Sequence, residues 1–163
     1  MLPHHIKIEE VTKTQIEEKY IPHVIEPSYG IGRIIYCIFE HCFKVRAHDE
    51  QRQYLTFPGC IAPVKCVLLP LINKEVLNKK TAEIKKLMIK AGVSCKIDDT
   101  GVSVGRRYAR TDECGIPFGV TVDFETIEEG VQKDTVTLRD LDSMLQIRLP
   151  VANLVKVVMD LSR

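Results

Sequence analysis

The six cysteines of this 163-residue chain (Cys37, Cys42, Cys60, Cys66, Cys95 and Cys114) include no C-x-x-C pair. That argues against a zinc site of standard spacing and against a disulfide framework. Several of them sit inside apolar runs, where a free thiol behaves as a small hydrophobe, so a reducing, intracellular compartment is expected. No apolar run reaches membrane-spanning length, and the opening "MLPHHIKIEE" lacks the apolar core of a signal peptide. A Gly-x-Ser-x-Gly elbow, a Walker phosphate loop and a His-Glu-x-x-His helix are all missing, and neither an internal repeat nor a low-complexity tract is present. Charge of one sign is missing too: 23 lysines and arginines face 22 acids. Net charge alone therefore points to neither nucleic acid nor membrane.

Charge is nonetheless unevenly placed. Between Lys74 and Arg110 ten basic residues face four acidic ones, and between Asp112 and Asp134 seven acids face one lysine. Such neighbours can pair with each other on one surface or form a binding face with its counterweight elsewhere. At 45% hydrophobic, the chain can bury one good core, or one compact domain plus an appendage.

The periodicities divide the chain near residue 57. In residues 1–57, "HIKIEEVTKTQ" and "KYIPHVIEP" have the β-branched content of antiparallel strands. Ile31 to Phe43 reads as a helix with apolar residues on more than one face, hence buried on most sides, and "KVRAHDEQRQYLTFPG" reads as a linker. Residues 58–163 alternate strand and helix signals. "CIAPVKCVLLPL" has the continuous apolar character of a strand covered on both faces. A helix follows, with Asn73 as candidate cap, Leu77, Ile84, Leu87, Met88 and Ala91 on one stripe, and Gly92 as its stop. "VSCKI", "FGVTVDF", "DTVTLRD" and "MLQIRL" are further strands, "GRRYARTDECG" a short helix, and "VANLVKVVMDLSR" a terminal helix with Pro150 at its first turn. The expected class is α/β, with a mixed sheet of about five strands flanked by helices, preceded by a β-hairpin and a helix.

Two stretches carry candidate chemistry. In "EPSYGIGR", Glu26 and Ser28 would share one face of a strand, suiting an amine, and Arg33 sits at a helix start, where phosphate oxygens are favoured. Gly30 and Gly32 allow a tight turn beside a ligand. The alternative is an ordinary strand end with Glu26 and Arg33 paired to each other. In "GRRYAR", Arg106, Arg107 and Arg110 surround Tyr108 in a pattern suited to phosphates and unstacked RNA bases. Neutralisation of that helix face by Asp98, Asp99, Asp112 and Glu113 is the competing reading. Cys37 and His41, four apart on a helix, fall short of a metal site, and the adjacent His4 and His5 do not favour a joint one.

Taken in order, these stretches resemble one family. "YIPHVIEPSYGIGRIIYCIFEH" is similar to the third signature motif of class II aminoacyl-tRNA synthetases, in the form found in eukaryotic and archaeal glycyl-tRNA synthetases. "TFPGCIAPVKC", "GVSCKIDDTGVSVGRRYARTDECGIPFGVTVDF" and "TVTLRDLDSMLQIR" continue the resemblance over nearly the whole chain. It implies that Glu26, Pro27 and Ser28 help hold glycine and that Arg33 engages the phosphates of ATP, with Mg2+ assisting. It implies that residues 1–57 are the end of a catalytic domain with its linker, and residues 58–163 an anticodon-binding domain. The implied partners are tRNA(Gly), the remainder of the catalytic domain in cis or in trans, and a second subunit in a homodimer. The implied compartment is the cytoplasm, with a mitochondrial pool.

In that family the anticodon presents two cytosines, whose amino groups carboxylates accept and whose ring acceptors arginine can meet. The implied contacts are Arg106, with Arg107, Arg110, Arg139 and Asp142, and Phe124 as a stacking platform. Leu141 and Leu145 depart from the basic "LRDRDSMRQ" form frequent in the family, which weakens tRNA binding or shifts it to neighbours. The first and second class II motifs lie upstream in the family, so this chain alone is expected to bind tRNA without forming glycyl-adenylate. The rival expectation is a free-standing interaction module, since the same domain serves in the accessory subunit of mitochondrial DNA polymerase.

Overall fold

The computed structural model describes residues 6–47 and 49–163, and the chain divides into two units between Ile31 and Gly32. His4 and His5 lie outside the described residues. In the first unit, residues 6–30 form neither helix nor strand, and their side chains are exposed, Ile25 to 97%. The two expected strands are thus not formed. β-Branched content only becomes a strand when a neighbour takes its backbone hydrogen bonds, and among the described residues no strand pairs with this stretch.

Helix α1 spans Ile31–Cys42, matching the expected position, but only Cys42 is buried. Ile34, Ile35 and Phe39 remain about half exposed. The expectation of a helix buried on most sides fails because α1 has cover on one side only: Phe39 meets Phe57 edge-on, with ring centroids 5.5 Å apart. The expected linker is a β-hairpin. Strands β1 (Phe43–Arg46) and β2 (Asp49–Leu55) pair antiparallel, with a register shift between Val45 and Arg46. Its polar sequence hid it, because the hairpin is fastened by side-chain ion pairs rather than by an apolar face.

The main sheet has five strands: β3 (Cys66–Pro70), β4 (Cys95–Ile97), β5 (Phe118–Val122), β6 (Thr135–Asp140) and β7 (Gln146–Pro150), in the order β4-β3-β5-β6-β7. The pairings β3–β4 and β3–β5 are parallel, while β5–β6 and β6–β7 are antiparallel. Every residue of β3 is buried, as its continuous apolar run demands. Its alternate side chains enter two cores. Cys66 and Leu68 join Leu77, Ile84 and Met88 of α2 (Glu75–Lys90) and Leu154 and Val158 of α4 (Val151–Leu161). Val67 and Leu69 point the other way, to Tyr108 of α3 (Val104–Glu113) and Ile116. Two helices therefore cover one face and one helix the other.

Helix boundaries follow local chemistry with small shifts. Ser103 caps α3 by accepting from the Arg106 backbone N–H at 3.4 Å. Asn73 does not cap α2, whose cap position is Lys74; its side-chain oxygen instead accepts from the Asn78 amide at 2.7 Å. Gly92 and Gly115, at φ +81° and +64°, follow α2 and α3 as the sequence predicts. Pro150 sits one position before its expected place, as the cap residue of α4.

Candidate functional site

Strand alternation places one row of residues on the α3 side of β5, β6 and β7: Gly119, Thr121, Thr137, Arg139, Gln146 and Arg148. Registers align them, with Gly119 opposite Arg139, Thr121 opposite Thr137, and Arg139 opposite Gln146. The opposite side of the same strands supplies Val120, Val136, Leu138 and Leu149 to the core. On the α3 side, Thr121, Thr137, Arg139 and Arg148 are half-buried and Gln146 is exposed. The result is an open, polar sheet face bordered by α3.

At its border, Gly119 makes room for Tyr108. A Cβ on Gly119 would stand 2.6 Å from the Tyr108 ring, so glycine is required for that approach. The Tyr108 hydroxyl shares a 2.5 Å hydrogen bond with Thr121 Oγ1, and burial raises the phenol above its ordinary range. The Arg139 guanidinium lies over the same ring, 4.4 Å from its centroid, worth about 0.5–1 kcal/mol in a semi-exposed setting. Arg139 makes no ion pair within 4 Å among the described residues, and its buried Nε has no hydrogen-bond partner. It is thus a positioned planar cation with donors to spare.

Arg148 is held differently. Its two terminal nitrogens donate to the two Asp123 oxygens at 2.6 and 2.9 Å, and its Nε donates to Thr135 Oγ1 at 2.8 Å. The Arg148 bonds, and then those from Thr126, hold the Asp123 carboxyl below the usual range despite partial burial.

The residues expected to touch RNA fall into different places. Arg106 is exposed on α3. Arg107 is not part of an exposed cluster: it is 2% exposed and donates to the carbonyls of Pro70 (2.7 Å), Asp98 (2.9 Å) and Leu71 (2.9 Å). It ties the ends of β3 and β4 to α3, which removes it from any surface contact. Arg110 is exposed but paired, donating to Asp98 at 2.8 and 3.1 Å and to Thr100 at 2.5 Å. Phe124 is half-buried against the larger core, with the Lys74 ammonium 5.0 Å from its ring centroid.

Asp142 is exposed, but both carboxylate oxygens are occupied. Lys44 donates to one and the Tyr54 hydroxyl to the other, each at 3.0 Å, and the Lys44 bond is the main reason its carboxyl is held low. The adjoining Arg46 bonds the carbonyls of Leu141 (2.7 Å) and Asp142 (2.8 Å). Arg46 and Arg52 both reach the buried Asp112 carboxylate, at 3.4 and 3.1 Å. Burial still pushes the Asp112 carboxyl up, against the pull of Arg46, Arg139 and Arg52. These contacts fasten the β1–β2 hairpin to the end of α3 and the β6–β7 turn. Of the two departures from the basic pattern, Leu141 is buried and Leu145 is 72% exposed.

Glu26, Pro27 and Ser28 are exposed in the first unit, with no strand to align the acid and the hydroxyl. Arg33 belongs to the second unit, exposed on the first turn of α1. Thr121, Thr137, Gln146 and Arg148 were missed by sequence reasoning. The signal was available in the polar residues at every second position of "TVD", "TVTLR" and "QIR", which mark one face of each strand.

A family model described as "Anticodon binding domain" matches residues 65–161. Over 99% of its length the chain is 49% identical to a glycine–tRNA ligase of Bombyx mori, of which it covers 22%. It is 48% identical over 96% of its length to the mitochondrial glycine–tRNA ligase 1 of Saccharomyces cerevisiae (22% of that protein). With the glycine–tRNA ligase of Methanocaldococcus jannaschii it shares 43% identity over 95% of its length, covering 26% of that protein. The match is to the C-terminal part of these ligases. Among solved structures, 66% of the chain superposes on 23% of a prolyl-tRNA synthetase from Cryptosporidium parvum complexed with L-proline and AMP. The TM-score is 0.59 and the identity 26%.

Proposed function

The chain belongs to the anticodon-binding-domain family, and from that premise we propose that it is the part of a glycine–tRNA ligase that holds the anticodon of tRNA(Gly). It spans roughly a fifth to a quarter of the ligases it matches (22% and 26%), so activity and partners here concern a larger protein. The observation that carries this reading is the open polar sheet face beside α3, with Arg139 poised on Tyr108 and without an ion pair among the described residues. Single-stranded bases bind by stacking on planar groups and by hydrogen bonds at their edges. Arg139 offers both, Gln146 an amide donor and acceptor, and Thr121 and Thr137 hydroxyls. Arg148, locked by Asp123 and 3.3 Å from Glu125, has its charge met within the fold and serves as a fixed edge of the face. Arg106, exposed on α3, suits backbone phosphate, whereas Phe124 packs against the larger core beside Lys74, so a base stacked on it would lie off this face. Arg107 drops out, and Arg110 and Asp142 would have to break existing pairs to bind.

The matching test is binding to tRNA(Gly) and to copies with either anticodon cytosine replaced, at two salt concentrations. A loss of about 1–3 kcal/mol per replaced base is expected, as for base-edge readout elsewhere. The salt slope counts the phosphates neutralised. Equal binding to all three tRNAs overturns the reading.

We place Glu26, Pro27, Ser28 and Arg33 in the glycine-activating site of the complete enzyme, completed by the rest of the catalytic domain and assembled as a homodimer. ATP fits what the chain offers at Arg33: an exposed guanidinium on the first turn of a helix, where phosphate is favoured. When bound, ATP would supply the α-phosphate that the glycine carboxylate attacks, with pyrophosphate as the leaving group. Glu26 and Ser28 supply charge and a hydroxyl to the glycine amine, and Arg33 supplies charge to the phosphates. Mg2+ belongs to the complete enzyme in this proposal, held by the ATP phosphates and one or two carboxylates rather than by a cluster of protein ligands; no cluster of three His, Cys, Asp or Glu side chains forms among the described residues. Cytoplasm is the proposed compartment, and the name of the yeast relative is compatible with a mitochondrial pool. No helix among the described residues is long and apolar enough to cross a membrane.

A further inference from the structure

Cys66 and Cys95 face each other directly across the parallel pairing of β3 and β4. Residues in register on neighbouring strands stand about 4.8 Å apart, inside the Cα separations that disulfides span. Both side chains lie on the same side of the sheet: Cys66 is a member of the larger core and Cys95 packs against it. Their exposure differs. Cys66 is completely buried, while Cys95 is half-buried on a three-residue edge strand. Solvent thus reaches the pair through one sulfur only. The edge position also lets β4 close the small remaining gap, because it is hydrogen-bonded to a neighbour on one side alone.

We propose that Cys66 and Cys95 are a dithiol site that hydrogen peroxide converts to an intramolecular disulfide. The facing Cys66 thiol and the nearby Lys85 ammonium of α2 lower the Cys95 thiol to about 7 despite its partial burial. Its closeness to Cys95 and its complete burial push the Cys66 thiol up, so it stays protonated until it is needed. The Cys95 thiolate attacks one peroxide oxygen. The O–O bond breaks, the other oxygen leaves as hydroxide and takes a proton to become water, and Cys95 becomes a sulfenic acid. The Cys66 sulfur then attacks the Cys95 sulfur. The S–O bond breaks, and the departing hydroxide takes the Cys66 proton as a second water. Two thiols are oxidised and one peroxide is reduced to two waters. Exposed Cys37, Cys60 and Cys114 have no facing cysteine in strand register and serve as internal controls.

The site adjoins the anchor of α3. Asp98, three residues beyond Cys95, accepts from Arg107 through its carbonyl and from Arg110 through its carboxylate. A covalent tie between β3 and β4 would therefore fix the edge against which α3 is held.

The test treats the intact chain with hydrogen peroxide, blocks remaining thiols in denaturant without reductant, and digests with trypsin. The expected product joins residues 66–74 to residues 91–96, with a mass two hydrogens below the sum of the two peptides, and dithiothreitol separates it. Cys95→Ser, a mild change at a half-buried position, should leave Cys66 a blockable thiol after the same treatment. Cys66→Ser should leave Cys95 trapped by a sulfenic-acid reagent with no cross-link. Recovery of both Cys66 and Cys95 as blocked thiols, at a dose that oxidises Cys37, Cys60 and Cys114, overturns the proposal. So does a cross-link from Cys95 to any other cysteine. Both refuting results are read on the unaltered protein, so a variant that fails to fold does not protect the idea.

Discussion

Arg139 and Tyr108 come from elements 31 positions apart and meet as a stacked pair, guanidinium over phenol, 4.4 Å from plane centre to charge. The contact exists because Gly119, between them on β5, has no side chain to hold the ring away. If this pair is the stacking and donor platform for an anticodon base, Arg139→Ala should cost tRNA binding about 1–3 kcal/mol and flatten discrimination between the native and base-replaced tRNAs. Arg139→Lys should recover little of it, because an ammonium neither stacks as a plane nor donates as a fork. Filter binding at fixed salt measures both, and unchanged discrimination in Arg139→Ala would remove Arg139 from the site.

Gly119→Ala tests the other half of the relationship. A methyl group 2.6 Å from a ring carbon forces the ring or strand to move, and overpacking of this kind costs about 1–3 kcal/mol. The expected result is a lower urea midpoint with an unchanged slope. Because the Tyr108–Thr121 bond and the Arg139 stack both depend on ring position, base discrimination should fall along with stability. A melt identical to that of the parent chain would show that the close approach carries no strain.

Arg106 and Arg107 should separate binding from folding, although they are adjacent and chemically the same. Arg107→Ala strands the carbonyls of Pro70, Leu71 and Asp98, and losing a buried charged partner costs on the order of 3 kcal/mol or more. Arg106→Ala removes an exposed charge, so stability should stay within about 0.5 kcal/mol while the salt slope of tRNA binding drops by about one. Thermal melts and salt titrations of the two variants decide the matter, and reversed outcomes would invalidate the assignment.

The Asp123–Arg148 fork predicts an acid limb of stability. The folded-state carboxyl is held below its unfolded value, mainly by the Arg148 bond. In the window between the two values the unfolded chain binds more protons, so stability rises with pH there. The contribution is complete above the ordinary aspartate range, about 3.9, and disappears as pH falls through the lowered folded value. Asp112 acts with the opposite sign: its raised folded value makes stability fall as pH rises just above the ordinary range. Asp123→Asn should therefore be less stable than the parent at neutral pH and converge with it in strong acid, measured by urea melts across pH 2–7.

How much of this was legible before the structure depends on whether a feature is local. The strands and helices of residues 66–161 were legible because each carries its own period: continuous apolar residues in β3, a stripe in α2 of which Leu77, Ile84 and Met88 are buried while Leu87 and Ala91 are exposed, and alternation in β6. The glycine stops were legible as well, since a positive φ is a property of one residue. The segment before α1 was misread because "KYIPHVIEP" has strand composition but no partner to pair with. The β1–β2 hairpin was misread as a linker because its attachment runs through Arg46, Arg52 and Tyr54 to Asp112 and Asp142, 60 to 96 positions away.

The candidate site divides in the same way. Residue type pointed to Arg106 and the family resemblance to Arg139, and alternation could have added Thr137, Gln146 and Arg148. Nothing in "GRRYAR" separates Arg107 from its neighbours, yet packing turns one arginine inward to three carbonyls, leaves the next exposed and pairs the third with Asp98. Sequence by itself determined the family, the α/β class and the kind of chemistry, because these rest on residue order and local periodicity. Only the tertiary structure decided which cations are spent on the fold and which stand open, because that depends on acceptors brought together from distant parts of the chain.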